Sequence, residues 1–331
     1  MSDETHTAAS SDNEAPRRSN TELLQKALEL APKFESLAQV GRAVNEALDI
    51  DLTDATWRGI YNRNDSEREQ VRKLLGTEAQ AQRRQREIRI DGNVRGVVTS
   101  DVHVPFHDPN AVVLAAKLIR HYDPDISVYA GDHLDFYAVS TYDRNPGRVF
   151  RIQDEIDQWH VDVLAPWGGA SKRARKIFIP GNHEDRLRRY LWRHPELFGL
   201  KVLELPNLLE LDRLDIEYAE LAVNFGGVLE VSHGTKVSKW SGATAKAEQE
   251  LRGFSISTIT GHVHRAGTFA HFGHTGQENP CLCDLNPEYV RNPAWTQGLT
   301  FFEIRDGIVK IEPVKFTKEY TAIYAGKLFR A

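Results

Sequence analysis

The stretch Val97-Val98-Thr99-Ser100-Asp101-Val102-His103 joins a short apolar run to two side chains that can bind metal, Asp101 and His103. Four further blocks repeat the pattern and place Asp, Asn or His at the end of an apolar run: Gly131-Asp132-His133, Gly181-Asn182-His183-Glu184, Ser232-His233-Gly234 and Gly261-His262-Val263-His264. One block alone is more often a turn or an isolated histidine. Five blocks together predict one site, because strand ends hold side chains rigidly over a common cleft.

Strand and helix patterns alternate around the first three blocks. Apolar runs predict strands over residues 96–100, 126–130 and 176–179, and amphipathic spacing predicts helices over 110–121 and 153–164. The later chain is richer in strand patterns, at 228–231, 256–260 and 267–272, with a hairpin around Asp306-Gly307. Residues 93–331 are therefore predicted to form an α/β (α+β) domain of two packed sheets covered by helices.

The first 92 residues have a different character. Residues 1–20 are polar and predict a disordered tail. Residues 21–64 predict three short helices, the second capped by Ser36 and the third by Thr53 or Asp54. These helices fit either a helix-turn-helix module or a small bundle used for packing or self-association, and the sequence favours neither. Residues 65–92 predict a connector helix whose basic residues suit a solvated surface better than a phosphate-binding one.

Composition narrows the class of protein. The 331 residues carry a net charge of −5, so the whole molecule is not a general polyanion binder and any nucleic-acid contact must use a local basic patch. No run of 18 apolar residues predicts a membrane span, and the polar N-terminus does not resemble a secretory signal. The only cysteines, Cys281 and Cys283, fit reduced thiols in a cytoplasmic protein and are predicted to lie outside the metal site.

The side chains in the five blocks indicate which metals they would bind. Carboxylate, imidazole and amide ligands suit borderline divalent ions, Mn²⁺ first and Fe²⁺, Zn²⁺ or Ni²⁺ as alternatives. Two such ions ~3.5–4 Å apart need a bridging ligand, and a carboxylate serves well. Glycine precedes Asp132, Asn182 and His262, which predicts tight turns where a β-carbon would clash.

These blocks, in this order, resemble the motifs of the calcineurin-like metallophosphoesterase superfamily: D-x-H, G-D, G-N-H-E, a lone H and G-H-x-H, over about residues 95–275. The resemblance implies a four-layer αββα sandwich and a two-metal site. It implies one metal on Asp101, His103, Asp132 and His264, and another on Asp132, Asn182, His233 and His262, with Asp132 as the bridge. By the same resemblance His183 binds no metal and donates a proton to the leaving group.

Residues beside the motifs allow more than one role. Asp135 either orients an imidazole of the site or belongs to a turn. His133 lies either just outside the ligands or at the surface. Glu184 either holds His183 in position or is a carboxylate at a helix N-terminus, which the helix dipole favours.

The type of phosphoester is less sharply indicated. The second block lacks the arginine of the G-D-x-V-D-R-G motif, which counts against a Ser/Thr protein phosphatase. Residues 172–193 carry eight basic and two acidic side chains, and Arg186, Arg189 and Arg193 are predicted to share a helix face that contacts substrate phosphates. Tyr190 and Trp192 either stack on bases or pack into the core, and packing is the preferred interpretation.

Three functions fit these observations. The first is a metal-dependent phosphodiesterase or nuclease with DNA or RNA as its partner, which agrees with a resemblance to phosphoesterases often encoded by bacteriophages. The second is a phosphatase or cyclic-nucleotide phosphodiesterase that acts on small molecules. The third is a scaffold without catalysis, and the complete ligand set together with His183 counts against it.

Overall fold

The computed structural model describes residues 19–34, 36–74, 87–288 and 293–331. Nearly all of the predicted tail, residues 1–18, lies outside them. The chain divides into two compact units, Met1–Gln85 and Arg86–Ala331. None of the helices in the described ranges is long and apolar enough to cross a membrane.

The first unit is helical. Its helices are α1 (Asn20–Leu30), α2 (Leu37–Leu48), α3 (Asp54–Arg63) and α4 (Asp65–Leu74), with a 3₁₀ turn at Ala31–Lys33. The predicted caps are confirmed: the Ser36 hydroxyl accepts from the Gln39 amide at the start of α2, and the Thr53 hydroxyl accepts from the Thr56 amide at the start of α3. All four helices contribute to one apolar core built around Trp57, as a small bundle requires. A DNA-binding role for this unit stays a prediction.

The predicted connector helix over residues 65–92 begins where expected, with α4 at Asp65–Leu74, but is wrong at its C-terminal end; residues 75–86 lie outside the described ranges. Val71 on α4 is buried in the core of the first unit. Residues 87–90 are a strand, because Ile88 and Ile90 alternate with charged neighbours and pack against the core of the second unit. This strand pairs with a segment more than 130 residues later, a partner that local periodicity does not indicate.

The second unit alternates strands and helices and then becomes strand-rich. Its elements are β1 (Glu87–Ile90), β2 (Val94–Thr99), α5 (Pro109–Tyr122), β3 (Ile126–Ala130), α6 (Ile152–Gln158), α7 (Ala165–Ala170), β4 (Arg175–Ile179), α8 (Asp185–Trp192), α9 (Leu205–Leu208), β5 (Ile216–Tyr218), β6 (Ala222–Phe225), β7 (Leu229–Ser232), α10 (Ala243–Glu250), β8 (Ser257–Thr260), β9 (Thr268–His271), β10 (His274–Glu278), β11 (Gly298–Arg305), β12 (Ile308–Lys315), β13 (Thr321–Tyr324) and β14 (Lys327–Arg330). A π-helical turn at Trp159–Leu164 joins α6 to α7.

Two six-stranded sheets and a small hairpin carry these strands. The first sheet has the order β1-β6-β7-β8-β10-β9, the second β12-β11-β2-β3-β4-β5, and β13 pairs with β14. Strands β2 to β5 are parallel, and so are β7, β8 and β10. The predicted hairpin is confirmed: Arg305 pairs with Ile308 across a turn in which Asp306 and Gly307 both have positive φ.

Side-chain alternation on the central strands builds the layers. Val98, Val128 and Ile177 face the first sheet and share a core with Val223, Val231 and Ile259. Their neighbours Val97, Tyr129 and Phe178 face the other way and pack with residues of α5 and of the α6–α7 region. Helix α10 packs against β8, β9 and β10 on the outer face of the first sheet. The architecture is therefore the predicted αββα sandwich.

Candidate metal centre

The first two blocks lie side by side where β2 and β3 end. The Asp101 amide donates to the Gly131 carbonyl at 3.0 Å, and the His103 amide donates to the Asp132 carbonyl at 2.9 Å. The third block follows β4, the next strand of the same parallel sheet. The fourth and fifth blocks follow β7 and β8 of the facing sheet. Both sheets therefore bring their carboxyl ends to the same cleft.

Two glycines permit the close approach of these turns. A β-carbon on Gly131, where φ is +81°, would lie 2.5 Å from His233 Nδ1 and 2.7 Å from the Gly181 Cα. A β-carbon on Gly181 would lie 2.1 Å from Asp132 Oδ1. Real β-carbons do not approach other atoms this closely, so the predicted reason for glycine at both positions is confirmed.

One group of ligand atoms comes from the first and last blocks. Asp101, His103 and His264 each offer one atom, and these atoms lie within 4.8 Å of one another. His103 Nε2 is 3.0 Å from His264 Nε2, which is 3.2 Å from Asp101 Oδ1. The Asp101 carboxylate also accepts from the Ser100 hydroxyl at 2.5 Å and from the His262 amide at 3.0 Å, which fixes its orientation.

A second group comes from the middle blocks. Asp132, His233 and His262 offer atoms within 4.8 Å of one another. His233 Nε2 lies 3.3 Å from Asp132 Oδ2 and 3.0 Å from Asn182 Oδ1. Asp132 Oδ2 is also 3.9 Å from His103 Nε2 in the first group. The carboxylate between the groups is therefore the one that the sequence predicts as the bridge.

The backbone at these residues is held in an uncommon conformation. Five of the seven predicted ligands have left-handed φ between 53° and 74°: Asp101, His103, Asp132, His262 and His264. Such conformations cost about 1–3 kcal/mol each outside glycine and persist only where surrounding structure enforces them. They cluster at functional sites, and here the cluster coincides with the ligand groups.

The electrostatics of the cleft favour a cation. Asp101 and Asp132 are both fully buried among the histidines of the two groups. Burial alone would lower the pKa of His233, but the adjacent Asp132 carboxylate outweighs it and raises that pKa to about 10. The negative potential that holds a proton on this imidazole would equally hold a divalent ion. The donor set of buried carboxylates, imidazoles and one amide thus fits two borderline metals.

His183 lies at the edge of both groups and is fixed by its own partners. Its Nδ1 is 2.9 Å from Asp135 Oδ1, and its Nε2 is 3.1 Å from Arg186 Nη2. Arg186 in turn donates to Asp135 Oδ2 at 3.0 Å. Burial opposes the charged form of His183, but Asp132 and Asp135 raise its pKa overall. His183 is near enough to Asp132 and His103 to bind metal, so its role as a proton donor stays a prediction from the family resemblance.

The comparison with known proteins agrees with this geometry. A model of calcineurin-like phosphoesterases matches residues 94–266, from β2 to just past the last ligand block. This chain belongs to the calcineurin-like phosphoesterase family.

Relatives include two bacteriophage proteins. The Gene 54 protein of Mycobacterium phage D29 is 28% identical over 193 residues, which cover 56% of this chain and 74% of the relative. Its counterpart from Mycobacterium phage L5 is 27% identical over 199 residues, with the same coverage. Among solved structures, Vps29 from Entamoeba histolytica (TM-score 0.35, 15% identity) covers 67% of this chain and 99% of its own, and an archaeal phosphodiesterase (TM-score 0.34, 12% identity) covers 66% and 99%.

The glutamate of the third block has a role that the sequence did not indicate. Glu184 is buried; its Oε2 accepts from the amides of Gly181 at 2.7 Å and Asp132 at 2.9 Å, and its Oε1 accepts from the Leu134 amide at 3.0 Å. One carboxylate thus ties two phosphoesterase motifs together. Burial, followed by the nearby Asp132, raises the pKa of Glu184.

His133 belongs to the core and not to the surface. Its Nδ1 accepts from the Trp159 indole at 3.2 Å, and burial lowers its pKa to about 4. This neutral histidine is packed among aromatic rings behind the second motif.

The three predicted phosphate-contacting arginines have different partners. Arg186 lies beside His183, as described above, is mostly buried and lines the adjoining cavity. Arg189 is exposed and forms an ion pair with Asp185 at 2.8 Å, and Arg193 donates to the Arg189 carbonyl. Contact of the three with substrate phosphates stays a prediction.

The aromatic side chains of α8 also divide. Tyr190 packs partly against the core and stacks on His194, as the preferred interpretation expects. Trp192 is 60% exposed, with the Arg188 guanidinium 5.0 Å over its ring, so its predicted burial is wrong.

The prediction that the cysteines lie apart from the ligands is wrong. Cys281 and Cys283 are free, buried and close to His264, and Cys283 Sγ is 3.9 Å from His264 Nδ1. The strand pairing of the late chain brings them there. No local sequence signal reveals it, because the partner histidine lies 17 or more residues earlier.

A cavity of about 670 Å³ opens beside the metal centre. Its inner wall includes His103, Asn182, His183 and Arg186. Its outer wall comes from two loops, residues 137–148 and 283–288. Neither loop carries a family motif, so the motifs do not predict this cavity.

Proposed function

We propose that this protein is a dinuclear-metal-dependent phosphodiesterase that acts on nucleic acid, DNA or RNA. The observation that carries the proposal is the pair of buried ligand groups joined by Asp132, with His183 held at the entrance of the adjoining cavity. A structural scaffold would have no need for seven convergent ligands and a separately oriented histidine.

The fit of the ligand groups assigns the residues that would hold the metals. Asp101, His103 and His264 would hold one ion, and Asn182, His233 and His262 the other, with Asp132 shared. Bound there, two divalent ions supply charge neutralisation of the phosphate and a water of lowered pKa. Everything else in the reaction falls to the protein's own side chains.

In this proposal His183 gives a proton to the leaving oxygen. Asp135 accepts from Nδ1, so Nε2, which Arg186 Nη2 approaches to 3.1 Å, is the nitrogen left to exchange a proton with the leaving oxygen. Burial and the Arg186 guanidinium lower the pKa of His183, whereas Asp132 and Asp135 raise it and outweigh them. Arg186 also brings a fixed positive charge to the side where the leaving alkoxide develops.

Nucleic acid is favoured as the substrate by the local excess of basic side chains around β4 and α8 in a chain that is acidic overall. Arg188 and Arg189 are exposed there, although both pair with Asp185. A second candidate, a small nucleotide diester or a cyclic nucleotide, is favoured by the bounded cavity, whose size suits one small-molecule ligand.

Metal content and substrate together test this proposal. The full chain, stripped of metal and equilibrated with Mn²⁺, is expected to bind two equivalents and to hydrolyse oligonucleotides. Asp132→Ala should lose both metal and activity. His183→Asn should keep two equivalents and lose ~10²–10⁴-fold in rate, whereas the matched control His194→Asn, at a partly exposed histidine outside the ligand groups, should behave as wild type.

The results that would overturn the proposal are distinct. One equivalent or less at saturating Mn²⁺ would exclude the dinuclear centre. Loss of metal in His183→Asn would make that residue a ligand. Turnover of cyclic nucleotides without any cleavage of oligonucleotides would replace nucleic acid by the second candidate.

A further inference from the structure

The cavity beside His183 lies on the side of the leaving group. His183 and Arg186 form part of its wall, and the ligand Asn182 lies at its inner end. A phosphate bound at the metals would therefore direct the group whose oxygen His183 protonates into this cavity. The side chains that line it bear on which leaving groups the protein accepts.

The outer wall is aromatic and firmly supported. Phe106, Tyr137 and Phe150 pack edge to face with ring centroids 5.5–5.9 Å apart. Tyr142, 77% exposed, and Trp295, whose ring lies 4.3 Å from that of His264, complete the aromatic surface of the cavity. Flat rings of this kind stack on nucleobases of any sequence.

The outer wall is also acidic. Both arginines that line the cavity have acidic partners: Arg186, on the inner wall, pairs with Asp135 at 3.0 Å, and Arg148, on the outer wall, pairs with Glu288 at 2.8 Å. Asp143 and Asp284 also line the cavity, and neither forms an ion pair with a residue that the structure describes. The described lining therefore presents uncompensated negative charge away from the metals.

We propose that this acidic aromatic cavity (Phe106, Tyr137, Tyr142, Asp143, Asp284 and Trp295) is a subsite for a nucleoside leaving group that carries no further phosphate. The nucleobase stacks on the rings, and its amino groups donate to the carboxylates. A second phosphate in the cavity is repelled by the same carboxylates. This inference rests on the proposed phosphodiesterase function and restricts it.

The reaction then has a defined outcome. Water adds to phosphorus, the bond from phosphorus to the nucleoside oxygen breaks, and that oxygen takes a proton. The products are a free nucleoside and a phosphate monoester. On a strand, only the terminal diester has such a leaving group, and after one cut the shortened strand ends in a phosphate. The strand should therefore release one nucleoside and then resist further cleavage.

Three substrates test the subsite in the Mn²⁺-loaded full chain. They are bis(p-nitrophenyl) phosphate, a dinucleoside monophosphate such as adenylyl-adenosine, and the same dinucleotide with a phosphate on the free hydroxyl of its leaving nucleoside. The extra phosphate is expected to lower kcat/KM about tenfold or more. In the double variant Asp143→Asn/Asp284→Asn, kcat/KM for the dinucleotides without and with the extra phosphate should differ by only a few-fold. An unchanged melting temperature would confirm that the variant is folded.

The aromatic part is tested by Tyr142→Ala against its matched control Tyr142→Phe. The alanine variant should raise KM for the dinucleoside monophosphate several-fold, and the phenylalanine variant should not, because stacking needs the ring and not the hydroxyl. Equal kcat/KM with and without the extra phosphate, or cuts at internal positions of an oligonucleotide, would overturn the inference while the aryl diester still turned over. Failure on all three substrates would instead overturn the proposed function.

Discussion

Replacing Glu184 by glutamine would test whether one buried carboxylate holds the second and third motifs in register. Its two oxygens accept from three backbone amides, those of Asp132, Gly181 and Leu134, at 2.7–3.0 Å. In glutamine one oxygen can keep the first two bonds, but the amide nitrogen then faces the Leu134 N–H, donor against donor. The Leu134 amide therefore loses its acceptor, and the amides of Asp132 and Gly181 donate to a neutral oxygen where they had a charged one.

The magnitude follows from these bonds. A buried donor left without a partner costs about 1–3 kcal/mol, and exchange of a charged acceptor for a neutral one weakens the remaining bonds. Part of this is offset, because burial already disfavours the charged form and raises the pKa of Glu184. We expect Glu184→Gln to lose roughly 1–3 kcal/mol of unfolding free energy, or about 2–12 °C in melting temperature for a unit of this size. Glu184→Ala removes both acceptor oxygens, and with them all three bonds, and should lose more.

The same change should reach the metals. The Asp132 amide is one of the three donors, so a shift of its turn moves the shared carboxylate. Partners that orient ligands are typically worth about 10–100-fold in metal affinity. Thermal unfolding of the metal-free protein and calorimetric titration with Mn²⁺ measure the two effects separately. Glu250→Gln, at an exposed position on α10, is the matched control. Unchanged melting temperature and unchanged Mn²⁺ affinity in Glu184→Gln would refute the reasoning.

Three other predictions follow from single contacts. Asp135→Asn should keep both metals but lower kcat. It should also move the alkaline fall of the kcat profile to lower pH, because the Asp135 charge helps to raise the pKa of His183 and the acid acts in its protonated form; an unmoved profile would count against this assignment. The Cys283 thiol lies 3.9 Å from His264 Nδ1 and is expected to orient that ring, so Cys283→Ala should weaken Mn²⁺ binding about 10–100-fold. An unchanged affinity would mean that the thiol only packs against the ring. Burial, followed by Asp135, raises the pKa of Glu155 from 4.5 to about 8. Between these pH values the native state holds a proton that the unfolded state has lost, so stability falls as pH rises through them. The unfolding free energy of Glu155→Gln, measured in urea, should match wild type at pH 5 and exceed it by a few kcal/mol at pH 9, at about 1.4 kcal/mol per pKa unit; an equal difference at both pH values would contradict the shift.

Two features could be predicted from the sequence: the sandwich and the convergence of the five blocks on one cleft. The apolar runs before Asp101, Asp132 and Asn182 form strands whose two faces are buried in two different cores, and a continuous apolar run is visible in the sequence. The ligands could be found for a related reason. Parallel strands bring their ends to one edge, so residue type and position after a strand are enough to predict that the side chains meet.

Other features depend on contacts between segments far apart in the chain. Strand β1 was predicted as helix because four residues carry too little local pattern to reveal a partner at β6. In the sequence, Glu184 looks like an ordinary carboxylate at the start of a helix. It becomes a shared hydrogen-bond acceptor because the turn that contains Asp132 lies beside it in the fold. Cys283 meets His264 through strand pairing that no spacing encodes.

The substrate cavity shows the same division most clearly. His183 and Arg186 could be predicted because they lie in or next to a motif. Asp143 and Asp284, which give the outer wall its charge, are some 140 residues apart in loops without any periodicity. Periodicity reports which face of an element is buried, whereas the charge and shape of a cavity depend on which loops meet, and only the tertiary structure decides that.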